Sequence, residues 1–151
     1  MNYLLELLGP KNIIYDLKSS SKEEILKILV THAVKNHILS ESSSEEILNA
    51  LLNREKSMST GIGSGVAIPH CSVSSVDSLK CVIGISKSGL DFEAIDNLPV
   101  HIFVMLIVPR EQFQEHIKTL ALIAKTLNSE EKRKQIIDAH SFEEIYSALK
   151  I

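Results

Sequence analysis

The sequence predicts an α/β fold, a single-domain sandwich with a mixed β-sheet of about five strands flanked by helices. Three observations lead there. Two apolar runs in the middle of the chain, KCVIGIS over Lys80–Ser86 and VHIFVMLIV over Val100–Val108, are rich in β-branched residues and end in turn chemistry. Amphipathic segments of helical period stand on both sides of them, three of which open on a serine and a glutamate at capping-box spacing. The chain has 151 residues, and no repeat, linker or low-complexity stretch divides it. A fold of that size hides roughly 70% of its unfolded surface, so residues 1–151 read as one domain.

The elements follow in order. The N-terminal MNYLLELLGPKN is apolar but is stopped by Pro10 after one or two turns. It lacks the basic start and small-residue cleavage site of a signal peptide. Ser21 with Glu24 opens a helix whose buried face is Ile25, Leu26, Ile28, Leu29, Ala33 and Val34, ending near Asn36 and His37. Ser43 with Glu46 repeats the device ahead of Ile47, Leu48, Leu51 and Leu52, and that helix ends around Arg54 or Glu55. Ser57 to Pro69 carries glycines at 61, 63 and 65 and reads as a loop, with a short strand over 66–68. The run at 100–108 is almost continuously apolar, the mark of a central strand covered on both faces. Helical period returns from Glu115 through Ile117, Leu120, Ala121, Ala124 and Leu127. Ser129 caps a short helix through Ile137, and Ser141 with Glu144 caps a last one over Ile145 and Leu149.

Composition narrows the function. A net charge of -3, no basic stripe, and an aromatic complement of three Tyr and four Phe argue against nucleic acid as a partner. Cys71 and Cys81 are too few for a disulfide framework and lack the paired short spacing of a zinc site, which suits a reducing cytoplasm and no metal. The longest apolar run falls well short of the ~20 residues a membrane helix needs, so no membrane insertion is expected.

The chemistry concentrates in TGIGSGVAIPH, Thr60 to His70. A P-loop would need a lysine and a hydroxyl after its last glycine, and a dinucleotide site needs a strand before the glycines and a helix after them. Here a helix precedes the glycines and Pro69 follows, so no nucleotide cofactor is expected. Ser64 is offset from the GxSxG elbow of a serine nucleophile. On pattern alone two readings stand: a glycine-rich turn with an ordinary loop histidine, and a site. For the site, glycines expose backbone amides that can gather around an anion, and Pro69 with its bias on Ile68 aims His70. A neutral imidazole is nucleophilic toward phosphorus, and with a pKa of ~6.5 about three quarters of it is neutral at pH 7. His116, at the start of a helix and on the edge of its apolar stripe, reads by itself as a structural histidine, as do His32, His37, His101 and His140.

Arg54-Glu55, Ser59-Thr60-Gly61-Ile62-Gly63 and Val66-Ala67-Ile68-Pro69-His70 occur in the order and spacing of a known signature. So do Asp91-Phe92, Asp96, Pro99-Val100, and His116 with Leu120-Ala121. Across essentially the whole chain the sequence resembles the mannitol/fructose-type enzyme IIA family of the bacterial phosphoenolpyruvate-dependent phosphotransferase system. The resemblance implies that His70 accepts a phosphoryl group on Nε2 from the phosphocarrier protein HPr or a nitrogen-branch homologue. It implies that His116 orients or stabilises the phosphate, and that a IIB domain or a regulatory target protein receives it. Arg54 matches a position beside that site, where a guanidinium could pair with phosphate oxygens. The amides of Thr60, Gly61 and Gly63 are the expected phosphate cradle, and Cys71-Ser72 the place where partner contacts would vary. With no second domain in view, the chain resembles the nitrogen-regulatory branch more than transporters whose IIA is fused to IIB and IIC. A sugar-specific IIA component, and a binding module that phosphorylation merely switches, are the alternative readings.

Overall fold

In the computed structural model, which describes residues 2–19 and 21–150, one six-stranded mixed sheet divides two layers of helices. Its strands are β1 (Ile13–Ile14), β2 (Gly61–Gly63), β3 (Val66–Ala67), β4 (His70–Val73), β5 (Lys80–Leu90) and β6 (Val100–Pro109). The helices are α1 (Asn2–Leu7), α2 (Lys22–Lys35), α3 (Ser44–Ser57), α4 (Phe113–Thr126), α5 (Glu130–Ile137) and α6 (Phe142–Leu149). The expected α/β architecture is therefore observed, with β1, β2 and β4 added to the strands that sequence pattern located. None of the helices is long and apolar enough to cross a membrane, among the described residues.

The long run at 100–108 occupies the centre of the sheet. β6 pairs antiparallel with β5 on one side and parallel with β3 and β4 on the other. Its side chains alternate between two cores, because successive Cβ atoms of a strand point to opposite faces. Ile102, Val104, Leu106 and Val108 enter the layer under α1, α4, α5 and α6. Phe103, Met105 and Ile107 enter the layer under α2 and α3. Continuous hydrophobicity in this strand is the consequence of burial on both faces.

β3 and β4 form a single line along β6. Val66 lies opposite Ile102, Ala67 opposite Phe103, and His70 opposite Leu106, so the register is constant across Ile68-Pro69. The ladder lapses there because proline has no N–H to donate. The Pro69 carbonyl still accepts from Leu106 N–H at 2.9 Å, while Ile68 N–H turns the other way to Thr60 O at 3.0 Å. His70 is the residue at which strand pairing resumes.

The caps are largely as the sequence implies. Ser21, Ser129 and Ser141 accept from the amides of Glu24, Lys132 and Glu144. Such a cap is worth about 1 kcal/mol. The return half of the box differs: Ser21 N–H goes to Ser19 Oγ, and the Glu144 carboxylate takes His140 N–H. The expected Ser43 cap is absent. A tight 3₁₀ turn over Glu41–Ser43 precedes α3, Ser43 is itself helical in backbone, and Ser44 Oγ instead binds Glu41 O. α3 runs past Glu55 to Ser57, and α4 begins at Phe113 after a 3₁₀ turn, two residues before Glu115.

Candidate functional site

His70 opens β4 and is half-buried. Its side chain faces the α1/α4/α5/α6 layer, since it alternates with Val66 and Ile68, both of that layer, and lies opposite Leu106. Nδ1 stands 2.7 Å from the Ile68 carbonyl oxygen. A carbonyl can only accept, so Nδ1 carries the proton and Nε2 carries the lone pair. Burial pushes the imidazole below its ordinary 6.5; the Ile68 bond pulls it up, the Arg54 guanidinium pushes it down, and Glu55 opposes Arg54. The net direction keeps the ring neutral at physiological pH.

The adjacent Cys71 points the other way. It is buried in the α2/α3 layer with Sγ toward Ile47 O, and burial pushes its thiol up to about 12. It is thus a core residue, which corrects the expectation of variable partner contacts at this position.

His116 lies in the first turn of α4, is only 6% exposed, and faces the layer that His70 faces. Its Nε2 is 3.3 Å from Gln112 Oε1, its Nδ1 3.2 Å from Thr119 Oγ1, and its ring centroid 5.9 Å from that of Tyr3. Arg54 is in the last turn of α3, with Nη1 bound to Met58 O at 2.8 Å and Ser57 Oγ at 3.3 Å. Its Nη2 and Nε have no hydrogen-bond partner among the described residues, and its charge is felt at His70.

The glycine segment is a hairpin. Ser64 and Gly65 both have positive φ, 57° and 82°, as a two-residue turn of type I′ sense requires. Gly61 must lack a side chain, because a Cβ there would lie 2.7 Å from Ala94 Cβ and 2.8 Å from Ala94 Cα. Of the expected phosphate cradle, the Thr60 and Gly61 amides find partners within the protein. Gly61 N–H donates to Ser59 Oγ at 3.1 Å, and Ser64 N–H donates to Asp96 Oδ2 at 2.9 Å. Gly63 lies against that same Asp96 carboxylate. Thr60 directs both its amide and its hydroxyl to Glu55. Physically, the anion that the Thr60 and Ser64 amides hold is the protein's own.

Pattern singled out His70, and the resemblance added His116 and Arg54; the resemblance also ran through Glu55 and Asp96 without giving them a role in holding the loop, and Lys22 was not singled out at all. A signal existed for Glu55. It follows Ile47 and Leu51 at intervals of four, so a carboxylate continues the buried stripe of α3. The remaining histidines are tied into structure where bonds are seen. His32 Nε2 meets Lys11 O at 2.8 Å and His101 Nδ1 meets Ser86 O at 2.9 Å.

The fold is that of a single α/β domain whose mixed sheet is flanked by helices, with His70 at the head of a strand beside its central one. The family model for the phosphoenolpyruvate-dependent sugar phosphotransferase system, EIIA 2, matches residues 6–151, and the chain belongs to this family. It is 39% identical over 132 residues to a nitrogen regulatory protein of Klebsiella oxytoca, covering 85% of this chain and 78% of that one. It is 35% identical over 138 residues to the fructose-specific EIIABC component of Bacillus subtilis (strain 168), covering 91% of this chain and only 21% of that longer protein. The crystal structure of the nitrogen regulatory protein IIA-Ntr from Neisseria meningitidis superposes with a TM-score of 0.88 at 27% identity, over 98% of this chain and 99% of that one.

Proposed function

We propose that this chain is a phosphocarrier in which His70 Nε2 accepts a phosphoryl group from a phosphorylated HPr-type donor and passes it to an acceptor protein. The observation that carries the reading is the 2.7 Å contact of Nδ1–H with the Ile68 carbonyl, which leaves Nε2 as the nucleophile. As Nε2 bonds to phosphorus, the bond from phosphorus to the donor atom breaks and its electron pair leaves with the donor. The imidazole becomes cationic in this step, and the Ile68 carbonyl is aligned to share that charge through Nδ1–H. Little covalent work remains for the protein beyond positioning and neutralising the equatorial oxygens. Arg54, with two nitrogens unpartnered among the described residues and its charge felt at His70, is suited to that neutralisation. His116, on the same face, could donate Nε2–H to a phosphate oxygen in exchange for its 3.3 Å contact with Gln112. Thr60 and Gly61, whose amides are taken by Glu55 and Ser59, serve the shape of the hairpin.

The reading favours the regulatory branch, with HPr of the nitrogen branch as donor and a regulatory target as acceptor. Support comes from the K. oxytoca and N. meningitidis proteins, which match over most of both lengths. The B. subtilis relative supports the second reading, a sugar-specific IIA that donates to a IIB cysteine. Incubation with enzyme I, donor and labelled phosphoenolpyruvate tests the carrier role. Acid-labile label should appear in the wild type and vanish in His70→Ala, whereas persistence in that variant would refute it. His116→Ala should still accept label but release it to acceptor at least tenfold more slowly, in line with the loss of a positioned catalytic group. Efficient transfer to fructose- or mannitol-type IIB would decide for the sugar branch.

A further inference from the structure

Thr60 spends its amide and its hydroxyl on Glu55, and its carbonyl on Ile68 N–H at 3.0 Å. Ile68 in turn spends its carbonyl on His70 Nδ1–H at 2.7 Å. Glu55 itself is held from the far side by Lys22, whose Nζ lies 2.9 Å from Oε2. The carboxylate is almost wholly shielded, with 3% of its side chain exposed against 16% for Lys22. These bonds make one uninterrupted line from the first residue of α2 to the imidazole.

We infer that Glu55, clamped by Lys22, is a positioning residue that sets the tautomer and the aim of His70 through Thr60 and Ile68. Several features fit this better than a role in stability alone. A lysine in the first turn of a helix opposes the helix dipole, so the place of Lys22 at the start of α2 is explained by the carboxylate it meets. Its ammonium also sits 4.9 Å from the centroid of the buried Phe92 ring, which fixes its direction. Pairing with Lys22 offsets part of the charge of Glu55, which is still felt at His70, and so lessens its repulsion of an arriving phosphoryl group. The backbone in between has little slack: Thr60 and Ile68 face each other across the base of the hairpin, and Pro69 limits the backbone that leads to His70. A shift of Glu55 would therefore move the Ile68 carbonyl and, with it, the ring. Glu55 does not touch the reacting atoms.

The inference rests on His70 being the phosphoryl acceptor, but its first readout needs no phosphate. Nitrogen-15 NMR of the full chain should show wild-type His70 as one tautomer, protonated on Nδ1. Glu55→Gln keeps the shape but cannot accept from both Thr60 groups and Lys22, and it should show both tautomers and a lower titration midpoint for His70. Phosphoryl acceptance should slow about tenfold to a hundredfold in kcat with KM for the donor little changed, as expected for a misaligned reacting group. Lys22→Met, which frees the carboxylate to move, should likewise mix the tautomers, and Lys22→Arg should keep the wild-type spectrum. Should Glu55→Gln fail to fold, Thr60→Val removes the hydroxyl bond alone and should show the same mixing to a smaller degree. A folded Glu55→Gln or Thr60→Val protein with the wild-type tautomer and titration overturns the inference. Absence of label on wild-type His70 would instead count against the carrier reading, with the tautomer result standing separately.

Discussion

At the scale of single residues, His70 joins two requirements that a free imidazole does not meet together. As the proposed phosphoryl acceptor it must be neutral, and it must present one chosen nitrogen. Burial supplies the first by disfavouring the charged ring, and the Ile68 carbonyl supplies the second. The pH consequence has a definite sign. The folded value lies below the unfolded ~6.5, so the native state binds fewer protons, and the stability due to His70 is complete above pH 6.5 and lost as pH falls through the folded value. The same shift should place the acid limb of phosphoryl acceptance below pH 6.5. Quenched-flow labelling over about pH 5 to 8, the range in which histidines titrate, measures it. A midpoint at or above 6.5 would contradict the burial argument. His70 was legible in the sequence because a proline fixes the backbone before it. Glu55 stood in the signature and in the stripe of α3, but its partner Lys22 was not legible, since the two are 33 positions apart in sequence.

At the scale of elements, the hairpin of β2 and β3 shows what the glycines do. They admit the Asp91–Val100 loop against the site: Ile95 N–H reaches Gly61 O at 3.0 Å, and Asp96 fills the turn. Gly61→Ala places a methyl within 3 Å of the Ala94 backbone and should destabilise the protein by about 1–3 kcal/mol, the usual cost of overpacking. Urea unfolding would register this as a lower midpoint, and an unchanged midpoint would show that the loop yields freely. The long helices and β5 and β6 were readable because each spans several periods of its pattern. β1, of two residues, β2, of three glycine-rich ones, and β4, of four, hold too little period to read. The Ser43 cap failed as an expectation because Ser44 and Glu41 close a competing turn, a choice between neighbouring serines that spacing does not resolve.

For the whole molecule, β6 is the element on which the other parts depend, because it separates the two cores and carries the register of β4. Phe103 is fully buried within it and meets Phe92 edge to face, with centroids 5.3 Å apart at 76°. Phe103→Ala should cost about 3–5 kcal/mol, seen as a large fall in the denaturant midpoint with an unchanged slope. A loss under ~1 kcal/mol would mean that the layer under α2 and α3 collapses into the space. By itself the sequence determined the α/β class, the central strand, most helix starts and the histidine at the end of VAIPH, because periodicity, capping and proline act over a few neighbouring residues. The resemblance already implied Nε2 of His70, for which the structure supplies the Ile68 bond on Nδ1; tertiary structure alone decided whose carboxylates occupy the hairpin, and that His70 and Cys71 face opposite cores. Those outcomes depend on strand register and on pairs such as Lys22 and Glu55, 33 positions apart, which meet only when two helices and the sheet have already packed.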